Sequence, residues 1–133
     1  MFKLNVQRVL VVEDIAPVRR ALKRIVERIG PTLEVQTAND GTMASQMILK
    51  ANDSGAPFDL CIADIHLPHV SGLELAQSLR DVTDLATPFF VLMTGRPTPE
   101  ILSEVERMGV PLLPKPFTLE DLESAMAAIS QTT

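Results

Sequence analysis

Short apolar runs alternate along this chain with longer segments whose apolar residues recur at helical spacing, and the alternation repeats five times. The runs occupy residues 8–12, 33–38, 58–63, 89–93 and 110–113. Their length and their β-branched or aromatic content suit buried strands. The first intervening segment carries Val18, Leu22, Ile25, Val26 and Ile29 on one face, with Arg19, Arg20, Lys23, Arg24 and Arg28 on the others. Strict strand–helix alternation calls for parallel strands joined by crossover helices, with both sheet faces covered. The expected fold is therefore α/β: a five-stranded parallel sheet, five helices on its two faces, and right-handed crossovers. A chain of 133 residues without linker, repeat or low-complexity tract is the size of one domain, taken as residues 1–133.

Punctuation residues place the helices. Pro17 suits a first helical turn, and Gly30-Pro31 ends that helix. Asn39-Asp40-Gly41 caps a second, expected to run to about Ala51, with Met43 and Met47 read as packing residues. Ser71 and Glu74 have capping-box spacing and start a third, expected to reach about Val82. Thr98-Pro99-Glu100 opens a fourth. Thr118 and Asp121 cap a fifth, which turns Leu119, Leu122, Met126 and Ile129 inward.

Composition removes several function classes. No stretch approaches the ~20 apolar residues of a membrane span, and the first residues lack a signal peptide's apolar centre. The single Cys61 excludes an internal disulfide and fits a reducing cytoplasm; its place in a buried strand makes it a core residue. A net charge of −5 argues against direct nucleic-acid binding. The charge is uneven, because residues 1–30 hold seven of the twelve Lys and Arg but only three acids. The basic face of the first helix is either solvated or a docking surface for an acidic partner.

In open α/β sheets ligands sit beyond the carboxyl ends of the strands. The polar residues there are Glu13 and Asp14 after the first strand, Asp64 after the third, Thr94 after the fourth and Lys115 after the fifth. Three close carboxylates repel and need a counter-charge. An all-oxygen donor set with room for water and phosphate suits Mg²⁺. An aspartate beside such a cation is a candidate nucleophile toward a phosphoryl donor, and the Lys115 ammonium and Thr94 hydroxyl are candidate stabilisers of the transferred charge. Gly95 leaves space for the incoming group. Asp64, His66 and His69 could also suggest zinc, but the spacing is not a common zinc pattern and a fourth ligand is missing.

Four motifs, in order at strand ends, carry a resemblance: Val11-Val12-Glu13-Asp14, then Asp64-Ile65-His66-Leu67-Pro68 with Ser71-Gly72, then Thr94-Gly95, then Pro114-Lys115-Pro116-Phe117. Together they make residues 8–129 resemble the response-regulator receiver domains of two-component phosphorelays. The resemblance implies the flavodoxin-like strand order 2-1-3-4-5. It implies Asp64 as phosphoacceptor and Mg²⁺ held by Asp14, Asp64 and the backbone carbonyl of His66, with Glu13 acting through water. It further implies Thr94 and Lys115 on the phosphoryl group, and a cis Lys115–Pro116 bond. The implied partners are a sensor histidine kinase or histidine phosphotransfer protein and a downstream output protein or domain, with homodimerisation left open. Such a domain is not an enzyme in its own right, although it takes part in its own phosphorylation and dephosphorylation.

The chain departs from the family pattern at Leu112, three residues before Lys115, where an aromatic switch residue is common. His66 is larger than many residues at its position, and Glu13 stands where Asp is common. Two other readings compete. One is a pseudo-receiver that binds partners without phosphorylation, kept alive by Leu112. The other is an aspartate-dependent phosphatase, disfavoured because Glu13-Asp14-Ile15-Ala16 lacks a D-x-D pattern. No G-x-x-x-x-G-K-[ST] or G-x-G-x-x-G motif is present.

Overall fold

The computed structural model describes residues 6–30, 32–82, 85 and 87–132, with side chains through residue 128. The elements run β1 (Arg8–Val12), α1 (Ala16–Glu27), β2 (Glu34–Ala38), α2 (Gly41–Asp53), β3 (Leu60–Asp64), α3 (Gly72–Arg80), β4 (Phe89–Thr94), α4 (Pro99–Met108), β5 (Leu112–Pro114) and α5 (Leu119–Thr132). All pairings are parallel and the strand order is β2-β1-β3-β4-β5, as the alternation and the resemblance implied.

Because side chains alternate across a strand, each central strand feeds two cores. Val9 and Val11, with Leu60, Ile62, Val91 and Met93, face Leu22 and Val26 of α1 and Leu122 and Met126 of α5. Leu10 and Val12, with Cys61, Ala63 and Leu92, face Ala44 and Ile48 of α2, Leu75 and Leu79 of α3 and Val105 of α4. The central strands are therefore apolar throughout, as a sheet covered on both faces requires. Cys61 is fully buried in the second core, and that burial pushes its thiol pKa up. Among the described residues, no helix is long and apolar enough to cross a membrane.

The caps hold the helix starts as the sequence implied. Asp40 accepts from the Met43 N–H, Ser71 and Glu74 form a reciprocal capping box, Thr98 accepts from Ile101, and Thr118 pairs with Asp121 in both directions. Several boundaries differ from expectation. Helix α1 ends at Glu27, with Ile29 packed on the core beyond it. Helix α2 continues to Asp53, α3 stops at Arg80, and Val82 is exposed. Strand β2 begins at Glu34 and β5 at Leu112; Val110 is buried but lies outside the strand pairing. Helix α4 closes on Gly109, whose φ of 69° is the left-handed cap that glycine adopts without strain.

Met43 corrects the packing expectation. It is exposed, whereas Met47 packs against the core. The buried row of α2 is Gly41, Ala44, Ile48 and Ala51, and the third position of the helix faces away from it. In α5, Leu122 and Met126 are buried and Leu119 half-buried; the Ile129 side chain lies outside the described residues.

Candidate functional site

Parallel pairing brings the ends of β1, β3 and β4 to one edge of the sheet. The Ala38 carbonyl accepts from the Glu13 N–H, Met93 from Ile65, and Thr94 from Lys115, so the main chain fixes the loops after β1, β3 and β5. Glu13 and Asp64 are buried at this edge and Asp14 is exposed beside them. One carboxylate oxygen from each of the three lies within 4.8 Å of the others. Among the described residues this is the one cluster of His, Cys, Asp and Glu that could hold a metal. Among the described residues, His66 and His69 do not join Asp64 in such a group.

Charge compensation within the cluster comes from Lys115. Its ammonium donates to both Glu13 oxygens at 3.1 Å and to Asp64 Oδ2 at 2.6 Å. The His66 main-chain N–H donates to Asp64 Oδ1 at 2.8 Å, so both Asp64 oxygens are held. Burial pushes the Glu13 carboxyl from 4.5 up to about 7, with neighbouring Asp64 adding to the rise and Lys115 opposing it. Burial also works against ionisation of Asp64, but hydrogen bonds with Glu13, Lys115 and the His66 N–H outweigh it and hold Asp64 below the usual carboxylate value. The two carboxyls titrate as a coupled pair, with burial pushing Glu13 up and the hydrogen bonds to Asp64 holding Asp64 down. For Lys115, burial favours the neutral amine, yet Asp64 and Glu13 outweigh it and raise its pKa.

Around the carboxylates, a cleft of about 300 Å³ is lined by Asp14, Ile15, Asp64, His66, Gly95, Arg96 and Lys115. A larger cleft of about 630 Å³ lies between Arg80, Phe89, Val105 and Pro111, away from the carboxylate cluster. At Gly95 an added Cβ would meet only Lys115, at ordinary contact distances. The Lys115–Pro116 peptide bond is cis. In the β3–α3 loop, His69 adopts φ 67°, a region histidine enters more readily than most residues.

Two contacts at this edge went unread in the sequence. The sequence places Arg19 on the solvated or docking face of the first helix. Its Nη1 donates to the Glu13 carbonyl at 2.9 Å and the Asp14 carbonyl at 3.4 Å, clasping the acidic loop. A basic side chain in the first turns after that loop was the available signal. The His66 ring lies 3.1 Å from Thr94 Oγ1, and nothing in the local sequence pointed to it.

The family of response regulator receiver domains matches residues 9–127, and the chain belongs to it. It is thus a receiver domain of the two-component kind. The response regulator MprA of Mycobacterium ulcerans (strain Agy99) is 35% identical over 126 residues, covering 95% of this chain and 51% of that protein. MprA of Mycobacterium leprae (strain TN) is 31% identical over a match of the same length. The chain spans about half the length of the curated relatives it matches. Among solved structures, the chemotaxis response regulator CheY4 of Vibrio cholerae is similar with a TM-score of 0.73 and 27% identity, covering 90% of this chain and 95% of that one. A receiver domain from Clostridium thermocellum, at 23% identity and a TM-score of 0.78, shares the fold.

Proposed function

We propose that this domain accepts a phosphoryl group on Asp64 from a phosphohistidine of a sensor kinase or phosphotransfer protein, and signals by the resulting change in shape to an output protein or domain. The observation that carries the proposal is the state of Asp64: a buried carboxylate, kept ionised, with one oxygen on a main-chain N–H and the other on Lys115. An ionised, positioned carboxylate is a competent nucleophile. In the transfer an Asp64 oxygen forms a bond to phosphorus, and the donor's P–N bond breaks with its electron pair leaving on the imidazole nitrogen. Lys115 is already placed to offset the charge on the transferred group, and the Thr94 hydroxyl supplies a donor at the end of β4.

The donor set fits Mg²⁺. Glu13, Asp14 and Asp64 offer oxygens only, at mutual distances a single hard cation bridges, and Asp14 is open to water. Asp14, Asp64 and the His66 carbonyl would hold the ion, with Glu13 acting through water. When bound, it supplies positive charge against the phosphoryl oxygens. The domain is taken as residues 1–133, at work in the cytoplasm, with no nucleic acid or membrane as direct partner.

The test is to treat the protein with acetyl phosphate and Mg²⁺ and measure intact mass. A single phosphoryl adduct is expected for wild type and none for Asp64→Asn. An adduct that survives unchanged in Asp64→Asn would overturn the assignment.

A further inference from the structure

Thr94 is buried, with only 2% of its surface exposed, so the hydrogen-bonding needs of its hydroxyl must be met inside the protein. Its Oγ1 accepts from the Arg96 main-chain N–H at 3.0 Å, a contact whose polarity is fixed because an amide N–H only donates. The other neighbour is His66 Nε2, at 3.1 Å. The hydroxyl has a single proton, and among the described residues His66 Nε2 is the one acceptor in reach. If the ring donated instead, two donors would converge on Oγ1 and the buried O–H would lack an acceptor, which is costly. The arrangement that satisfies every group has Thr94 donating to an unprotonated His66 Nε2.

We infer that His66 is a positioning residue for Thr94, a latch that occupies the hydroxyl proton until a phosphoryl group on Asp64 draws it away. The inference rests on the reading of Asp64 as the phosphoacceptor and adds a competitor for one of its donors. His66 sits two residues after Asp64, and its main-chain N–H already holds the Asp64 carboxylate. One residue therefore contacts both the acceptor and the hydroxyl that is to serve it, through different atoms. In the resting domain the Thr94 proton points to the ring. In the phosphorylated domain it points to a phosphoryl oxygen, and the half-buried imidazole, which lines the same cleft as Gly95 and Arg96, loses its partner. Leu112 offers no ring at the usual aromatic position, so the ring coupled to Thr94 is the imidazole of His66.

Beryllofluoride with Mg²⁺, as a phosphoryl mimic, tests this at constant pH, with affinity read from amide chemical shifts of Thr94 and Gly95. His66→Phe keeps a ring but removes the acceptor, and His66→Ala removes the side chain. Both are expected to bind the mimic about three- to tenfold more tightly than wild type, the effect of releasing one net hydrogen bond. His66→Gln, whose amide oxygen reaches a similar distance, is expected to stay within about twofold of wild type. In a Thr94→Ala background the His66→Phe effect should vanish, because the latch has nothing to hold. Wild-type binding that His66→Phe and His66→Ala leave unchanged or weaken would overturn the latch alone. No binding by any variant, wild type included, would overturn the latch and the phosphoacceptor reading together.

Discussion

Gly72 lies so close to the main chain of Asp64 that a Cβ on it would stand 2.4 Å from the Asp64 carbonyl oxygen and 3.0 Å from its carbonyl carbon. The start of α3 is thus packed directly on the end of β3, with the Gly72 N–H donating to the Ile65 carbonyl. Both obstructing atoms are backbone, so neither can rotate aside. Gly72→Ala is expected to destabilise the domain by roughly 2–4 kcal/mol, as overpacking against rigid structure does. Urea unfolding measures this, and a change below about 0.5 kcal/mol would contradict it. Gly95→Ala, where the added methyl meets only ordinary contacts, should leave stability near wild type.

Mg²⁺ should stabilise the domain by mass action, because the carboxylate cluster exists only in the folded chain. Each tenfold rise in Mg²⁺ above its Kd is expected to add about 1.4 kcal/mol. Asp14→Ala removes the exposed member of the cluster and should abolish most of that gain while leaving the metal-free protein near wild-type stability. Thermal melts with Mg²⁺ and with a chelator check both halves. Equal shifts in wild type and Asp14→Ala would exclude Asp14 as a ligand.

The buried Glu13 predicts a pH dependence for the metal-free protein. Its folded-state pKa, raised from 4.5 to about 7, means the folded chain binds more protons than the unfolded chain between those values. The stability it contributes is complete below about pH 4.5 and is lost as pH rises through about 7. Asp64, lowered when folded, acts in the opposite sense: its contribution is present above its ordinary value of 3.8 and fails only in more acid solution. Urea midpoints with a chelator should therefore fall between about pH 5 and pH 8, and Glu13→Gln should flatten that slope. Because a metal requires ionised carboxylates, Mg²⁺ affinity should climb over the same range.

Leu112 is half-buried and packs with Ile101 and Met108 of α4 against the core. A phosphoryl group adds about −1.5 to −2 charges beside Thr94 and Lys115 and should draw both toward it. Leu112 can fill the space vacated by Thr94 but offers no hydroxyl for an outer hydrogen bond. Beryllofluoride is therefore expected to change amide shifts strongly at residues 94–96 and 115 and only weakly at residues 101–105 and 122–128. Large, all-or-none changes in the latter two segments would show that strong coupling runs through α4 and α5.

The order of elements was legible in the chain because its causes are local. Short apolar runs and period-3.6 patterning set strands and helices, and Asp40, Ser71 with Glu74, Thr98, and Thr118 with Asp121 cap helices within three residues of themselves. That Glu13, Asp14, Asp64, Thr94 and Lys115 lie at strand ends follows from the same local reading, since each closes or follows an apolar run. What they do to one another does not follow from it. Lys115 holds Glu13 across 102 residues and Asp64 across 51; the Glu13 pKa is raised by burial that only the assembled sheet creates. The Met43 side chain faces solvent because the completed core selects the opposite row of α2. The Arg19 clasp and the His66–Thr94 bond depend on rotamers chosen by packing around loops from separate strands, and His66 meets Thr94 across 28 residues. Such pairings are set by where folded backbone places side chains, and no pattern along the chain encodes that distance.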